Sequence, residues 1–312
     1  MYRAVATVFA VSAFGLGILC LLAQIFMRNF LFEMSVSFLP QILVLVGVAT
    51  VMVSVLSKRA ALAGALLVIV AGWPVWSFSK FERPSEADCP PSLCLTVMTA
   101  NVHRSAAALQ RVSALSEQIG ADVIALNEPP AGLTEQTFRS MFTDLEHVIA
   151  IDRGAASVPI ALLSRSMIDE DEVFLPARSA FRAYLQVDLA EEWSGLRVVT
   201  THPMIPVTPI GISARETMLE SASDAALESE TFILLGDFNL TPWSRQYRRL
   251  PGKRAGDPRF MATWPTRFGP LGIPIDHIMF SDDLELVDTR ILPPIGSDHR
   301  AIMARFKRKT PE

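Results

Sequence analysis

The sequence predicts an α/β chain in which two packed mixed sheets, flanked by helices, follow three transmembrane helices. Three observations predict this. The stretches Ala4–Met27, Met34–Ser57 and Ala60–Ser79 contain no charged residue, and each is long enough to cross a hydrocarbon core of about 30 Å as a helix. From residue 93 onward, short apolar runs bounded by Gly, Pro and polar residues read as strands. Hairpin-like pairs of these runs outnumber the strand–helix–strand alternations, which favours two packed sheets over a doubly wound parallel one.

The elements follow in order. Residues 1–80 form a membrane anchor of three helices. A cleaved signal peptide is the alternative for the first, but its apolar run is longer than a typical signal core. Only Lys58-Arg59 separates the second and third spans, so they form a tight hairpin. Arg3, Lys58 and Arg59 share one side with the amino terminus, and Arg28, Lys80 and Arg83 lie on the other. The free amino group and the paired Lys58-Arg59 tip this balance toward an N-terminus inside, and so toward a multi-pass protein of the inner membrane with its soluble domain outside the cytoplasm. Residues 81–92, polar and proline-containing, read as a linker, and 93–307 as the catalytic domain. Cys89 and Cys94 flank Pro90-Pro91-Ser92-Leu93; they are either a small disulfide loop in an oxidising compartment or two separate thiols. Within the domain, strands are expected at 93–101, 122–128, 148–152, 160–165, 172–175, 181–189, 196–202, 231–239, 275–280, 285–292 and 300–306. Helices are expected at 106–119, ended by Gly120, at 134–142, at 213–227 with Ser213 as cap, and from Pro242.

Polar residues recur at the ends of these apolar runs. Asn101 ends the first and Glu128 follows the second. His202 ends Val198-Val199-Thr200-Thr201, Gly236-Asp237-Phe238-Asn239 follows Phe232–Leu235, Asp276-His277 opens another run, and Gly296-Ser297-Asp298-His299 precedes the last. Asp237 and Asn239 are two apart, so on an extended backbone both point to one side. Such a group can hold a divalent cation, orient a water and stabilise charge on a phosphoryl oxygen.

This ordered set resembles the endonuclease/exonuclease/phosphatase (DNase I-like) family over roughly residues 93–307, and the three spans resemble its membrane-anchored bacterial branch. The resemblance implies a four-layer α/β sandwich and a metal-dependent phosphoric ester hydrolase. It implies Mg²⁺ (or Mn²⁺) on Glu128 with Asn101 beside it and Asp298 as a second metal or water ligand. It makes Asp237 the group that orients or deprotonates the attacking water, with Asn239, His202 and His299 contacting the phosphate and Asp276 supporting His299. Two departures stand out. Asn127 occupies the place where family members usually carry Gln. The segment Ser157–Arg165 offers no acidic partner for His202, which puts a DNase-like pairing there in doubt.

Charge bears on the substrate. Residues 89–312 carry 22 Lys/Arg against 28 Asp/Glu, and an acidic domain is a poor non-specific DNA binder. The cluster Arg245, Arg248, Arg249, Lys253 and Arg254 is either a local basic groove or a solvated face. The resemblance to membrane-anchored relatives implies a lipid-linked phosphate at the membrane surface, and the three spans and the acidic domain fit that better than duplex DNA. Nucleic acid is the alternative, and a non-catalytic membrane module retaining the fold is a third reading. No obligate protein partner is evident.

Overall fold

The computed structural model describes residues 2–23, 30–54, 57–85, 87–90, 93–152, 159–174 and 183–309. The ends of the first two expected spans, the start of the segment 157–165 and the expected strand residues 175, 181 and 182 lie outside them. The chain divides into two compact units. One comprises residues 1–79, 206–212 and 241–248; the other comprises 80–205, 213–240 and 249–312.

The first unit is helical: α1 (Tyr2–Ala23), α2 (Phe30–Ser37), α3 (Leu39–Ser54), α4 (Lys58–Ala71) and α5 (Trp73–Trp76). Ala10 and Ala13 of α1 pack on Ala49 and Val53 of α3. Phe78 meets Trp243 and Tyr247 edge-on, at ring separations of 6.0 and 5.8 Å. Three continuous spans were expected, and the helices are more broken than that. Pro40 has no N–H to donate, and the second stretch breaks at Phe38, where α2 and α3 bend by 78°. The third stops at Gly72, ahead of Pro74. Among the described residues no single helix is long and apolar enough to cross a membrane, whereas the bent α2–α3 pair together is.

The second unit holds the strands β1 (Phe81–Glu82), β2 (Leu95–Asn101), β3 (Val123–Asn127), β4 (His147–Ile151), β5 (Ile160–Ser164), β6 (Ile168–Phe174), β7 (Tyr184–Leu189), β8 (Leu196–Thr201), β9 (Thr231–Asp237), β10 (Lys253–Ala255), β11 (Asp276–Phe280), β12 (Leu284–Ile291) and β13 (Ile302–Arg308). Its helices are α6 (Ala106–Ile119), α7 (Glu135–Met141) and most of α8 (Pro209–Leu227). One sheet runs β1-β10-β11-β9-β8-β7-β6 and the other β12-β13-β2-β3-β5-β4. They share a core in which Leu95, Val97, Val123 and Leu162 meet Val187, Val198, Ile233, Leu235 and Ile278. A second apolar layer forms under α6 and α7, from Met98, Leu109, Val112, Ile124 and Phe138. Helix α6 begins where the Ser105 side chain accepts the Ala108 N–H, and ends at Gly120 in the left-handed conformation.

Two parallel pairs, β2/β3 in one sheet and β8/β9 in the other, are joined through α6 and α8, and the short β1/β10 pair is parallel as well. Parallel strands finish at the same end, so Asn101, Glu128, His202 and Asp237 are delivered to the carboxyl ends of four strands, where α/β folds hold their ligands. Three details differ from the sequence reading. Helix α8 starts at Pro209, which leaves Ser213 inside it. No α-helix starts at Pro242; a 3₁₀ turn follows at Gln246–Arg249. The segment expected as linker contributes β1, which pairs with the unexpected β10. Gly236 has φ 143°, and a Cβ there would collide with the Thr201 carbonyl oxygen of β8. Gly236→Ala is therefore expected to destabilise the fold by the strain of a positive φ, about 1–2 kcal/mol, plus an overpacking cost of about 1–3 kcal/mol. Gly120→Ala, where a Cβ meets nothing, carries only the first. Urea unfolding of both variants compares them, and equal losses would contradict the steric reading.

Candidate active site

Asn101 and Asn127 are register partners at the ends of β2 and β3, so their side chains leave the sheet on the same face. The Asn127 amide oxygen accepts the Asp237 N–H at 2.9 Å, and the Asn101 amide nitrogen donates to Asp237 Oδ2 at 3.0 Å. These bonds join the rims of the two sheets. Asn101 also donates to Glu128 Oε1 at 3.2 Å, and its own oxygen accepts the His103 N–H. Glu128 sits just past β3 with φ 51°, a left-handed conformation uncommon for a residue with a long side chain.

Asp237 ends β9, and its register partner is Asp276 at the start of β11. Asp237 Oδ1 accepts the N–H of Asn239, which itself has φ 49°. The Asn239 amide nitrogen donates to the Pro203 carbonyl at 3.1 Å, just past His202. His202 is buried. Its Nε2 lies 3.0 Å from Glu128 Oε1, and its Nδ1 lies 3.1 Å from the Asp237 carbonyl oxygen. The acidic partner missing from the segment 160–165 is thus supplied by Glu128. Both ring nitrogens face protein acceptors, which makes His202 a brace for Glu128 and Asp237 more than a free phosphate donor.

His299 completes the group. Its Nδ1 lies 3.0 Å from Asp276 Oδ2, and its Nε2 lies 3.7 Å from Asp237 Oδ2. The Thr263 hydroxyl accepts the N–H of Asp276, and the Ser297 hydroxyl accepts that of His299. Asp298 stands apart from this cluster. Its carboxylate accepts the Trp264 indole N–H at 3.0 Å and lies 3.5 Å from His103 Nδ1, with 42% of its side chain exposed. Trp264 also lies with its ring 6.5 Å from that of His299. Sequence reasoning did not single out Trp264, Thr263 or the buried Arg215, and no local pattern marks them.

The cluster alternates acid and imidazole: Asp276, His299, Asp237, His202, Glu128. Burial opposes ionising Glu128, but the hydrogen bond and charge of His202, with help from Asn101 and His103, bring its carboxyl down to about 2. Burial, reinforced by the Asp276 charge, raises Asp237 against the opposing pull of His299 and His202. Burial would lower His299, yet the charges of Asp276 and Asp237 raise it to about 10.

The donor set fits a hard divalent cation. Asp237, Asp276 and His299 present ligand atoms within 4.8 Å of one another, and Asp276 Oδ1 is buried without a hydrogen-bond partner. Of these, an imidazole held protonated between two carboxylates competes poorly for metal. The oxygens of Glu128, Asn101 and Asp237 are harder donors and suit such a cation better. Within the second unit the cations of the basic cluster are dispersed. Arg254 is fully buried, Arg249 faces Glu216 and Glu220, and Lys253 faces Asp282 and Glu82.

Solved structures share this fold. An endonuclease/exonuclease/phosphatase from Beutenbergia cavernae superposes with a TM-score of 0.55 at 17% identity, covering 69% of this chain and 72% of that one. The 3′-5′ exonuclease NExo from Neisseria meningitidis gives 0.55 at 20% identity, covering 68% and 100%. D. rerio TDP2 complexed with single-strand DNA product gives 0.54 at 15% identity, covering 69% and 99%. No curated protein matches the sequence. The profile of the endonuclease/exonuclease/phosphatase family matches residues 98–299, a span that opens within β2 and closes on His299, and the chain belongs to that family.

Proposed function

We propose that this chain is a divalent-metal-dependent phosphoester hydrolase. The observation that carries the reading is the continuous group from Glu128 through Asn101 and Asp237 to His299, linked by two hydrogen bonds and an ion-pair contact and drawn from the ends of both sheets. Glu128 and Asn101, with Asp237, would hold the cation, which when bound polarises the phosphate and steadies the leaving oxygen. Asp237, with its carboxyl raised by burial, aligns the attacking water in line with the leaving group and takes its proton. His299, kept protonated by Asp276 and Asp237, donates toward the phosphoryl oxygens. Asn239 keeps a second amide hydrogen for the same oxygens while the first is held by Pro203. His202 fixes Glu128. Asp298 anchors Trp264 at the rim, where its carboxylate remains accessible as a further water or metal ligand.

For the substrate we favour a phosphoester presented at a membrane. The loop after Trp264 exposes Phe268 and Leu271, and its Thr266 N–H donates to the carbonyl of Asp298. Ile205 is exposed two residues past Pro203. An apolar rim of this kind suits acyl or prenyl chains. Nucleic acid is the second reading, favoured by the DNA product bound to the similar TDP2. The bent α2–α3 pair and its neighbours would hold the chain in the membrane. The Cys89–Cys94 disulfide favours an oxidising compartment outside the cytoplasm for the domain.

Asp237→Asn is expected to lower turnover of bis(p-nitrophenyl) phosphate by about 10²–10⁴-fold with the fold intact by circular dichroism. Glu128→Gln should weaken Mg²⁺ binding by calorimetry, and chelation should abolish turnover until Mg²⁺ or Mn²⁺ is restored. Undiminished turnover by Asp237→Asn would refute the assignment. A C-terminal alkaline phosphatase fusion should be active and a β-galactosidase fusion silent; the reverse would place the domain in the cytoplasm.

Stability in metal-free buffer should carry the signature of the two perturbed groups. His299 titrates near 10 when folded, against an ordinary 6.5. Its contribution is therefore complete below pH 6.5 and fades as pH rises toward 10. Glu128 titrates near 2 against an ordinary 4.5, so its contribution is complete above pH 4.5 and fades as pH falls toward 2. Urea unfolding of the wild type minus His299→Gln should show a gap that narrows from pH 6.5 to 10. A constant gap would mean that the imidazole is not held charged.

A further inference from the structure

Arg215 and Arg254 are the two largest fully buried side chains described in this protein. Taking a guanidinium out of water is unfavourable unless its N–H groups find good acceptors, so where those groups point is informative. Arg215, on α8, donates from Nη1 to the carbonyl oxygen of Asn239 at 2.7 Å. Arg254, on β10, donates from Nε to His277 Nδ1 at 2.9 Å, and His277 Nε2 lies 2.7 Å from the carbonyl oxygen of Leu240. A guanidinium nitrogen can only donate, so Nδ1 must accept and the ring proton sits on Nε2, directed at Leu240. Arg254 also donates to the carbonyls of Ala255 and Gly256, and more weakly to that of Asp276 at 3.5 Å. The Phe238 ring covers His277 at 5.4 Å.

The carbonyls of consecutive residues just past Asp237 are thus held from behind, that of 239 by Arg215 directly and that of 240 by His277, which Arg254 supports. That is where the backbone leaves β9 through the left-handed Asn239. We propose that Arg215, and Arg254 acting through His277, are positioning residues. They hold the loop 237–240 so that the Asp237 carboxylate and the Asn239 amide keep their aim at the phosphate. This rests on the hydrolase reading above. The pleat of β11 explains the division of labour. Asp276 and His277 are successive residues on opposite faces of one strand: Asp276 turns to His299, and His277 turns to the back of the loop. His277 therefore stays neutral beside its arginine and acts as a relay of hydrogen bonds with no part in proton transfer. Burial and the Arg254 charge hold it well below the usual histidine range.

The test uses the full-length protein in detergent, with Arg215→Lys, His277→Leu and His277→Asn. An asparagine offers one acceptor toward Arg254 and one donor toward Leu240, as the neutral imidazole does; leucine offers neither. Arg215→Lys and His277→Leu should lower kcat on bis(p-nitrophenyl) phosphate by about 10²-fold, the scale of a small misplacement of reacting groups. KM and Mg²⁺ affinity should stay within about 2-fold, and His277→Asn should recover most of the loss. Hydrogen–deuterium exchange over residues 237–241 should quicken in the two damaged variants while exchange in β2 and β3 is unchanged. The exchange readout needs no turnover, so it tests the clamp even if the wild type hydrolyses no phosphoester, a result that would count against the hydrolase reading alone. Unchanged exchange in the loop would overturn the proposal. So would a loss of kcat shared equally by His277→Asn, or one that tracks only the fraction of folded protein.

Discussion

The site depends on the hydrogen bonds by which the rim of one sheet holds the rim of the other. Asn127 accepts from the backbone of Asp237, and Asn101 donates to its carboxylate. Without them, Asp237 would be a buried acid at a strand end and Glu128 a lone carboxylate on the facing sheet. Packing between the sheets is apolar and non-directional, with Leu95, Val97, Val198 and Leu235 in the layer beneath. Such packing sets the spacing of the two sheets without fixing their register to a few tenths of an ångström. The two asparagines supply that precision, and as neutral donors and acceptors they do so without adding charge to a site already rich in it.

Charge is the second constraint. Three carboxylates within one buried cluster repel each other strongly at low effective dielectric, and a structure cannot simply hide them. Here each imidazole lies between two acids: His299 between Asp276 and Asp237, His202 between Glu128 and Asp237. The alternation explains why burial does not decide every ionisation. Glu128, with a donor on either side, stays ionised, whereas Asp237 has an acidic neighbour in Asp276 and shifts upward. The acid left the stronger base is the one whose proposed task is to take a proton. The acid left charged is the one proposed to meet a cation.

Much of this was legible in the sequence because function interrupts periodicity. An apolar run that ends in Asn101, Glu128, His202 or Asp237 places a polar group where packing has no use for it, and α6 could be read from its cap, its period and its terminating glycine. What could not be read has physical reasons. Strands β1 and β10, of two and three residues, are too short to show a period. Freedom from charge measures how apolar a stretch is and is blind to the breaks at Phe38 and Gly72. Arg254 read as one of a cationic cluster forming either a groove or a solvated face, because a guanidinium satisfied by backbone carbonyls and His277 leaves no mark in the order of residues. Asp298, beside His299 in the chain, was expected as a metal or water ligand, and nothing in the order of residues tells what else its carboxylate meets. Neighbours in sequence leave the backbone in different directions, and its carboxylate went to Trp264.

Backbone strain ties these threads together. Glu128 and Asn239 both hold left-handed conformations, which a β-substituted residue adopts only where its surroundings insist. In Glu128 the insistence comes from outside the turn, through Asn101 and His202 on its carboxylate and the Pro159 carbonyl on its N–H. In Asn239 both backbone groups and one amide hydrogen are engaged: N–H by Asp237, amide nitrogen by Pro203, carbonyl by Arg215. A loop serving only to connect strands has no need of so many restraints, and selection for stability alone would relax the strain with a glycine. Placing the two strained residues on opposite sheets, Glu128 one position past Asn127 and Asn239 two past Asp237, makes sense if their side chains must be aimed before anything binds. That is what preorganised catalysis requires, since a group already in place does not have to be reoriented as charge develops.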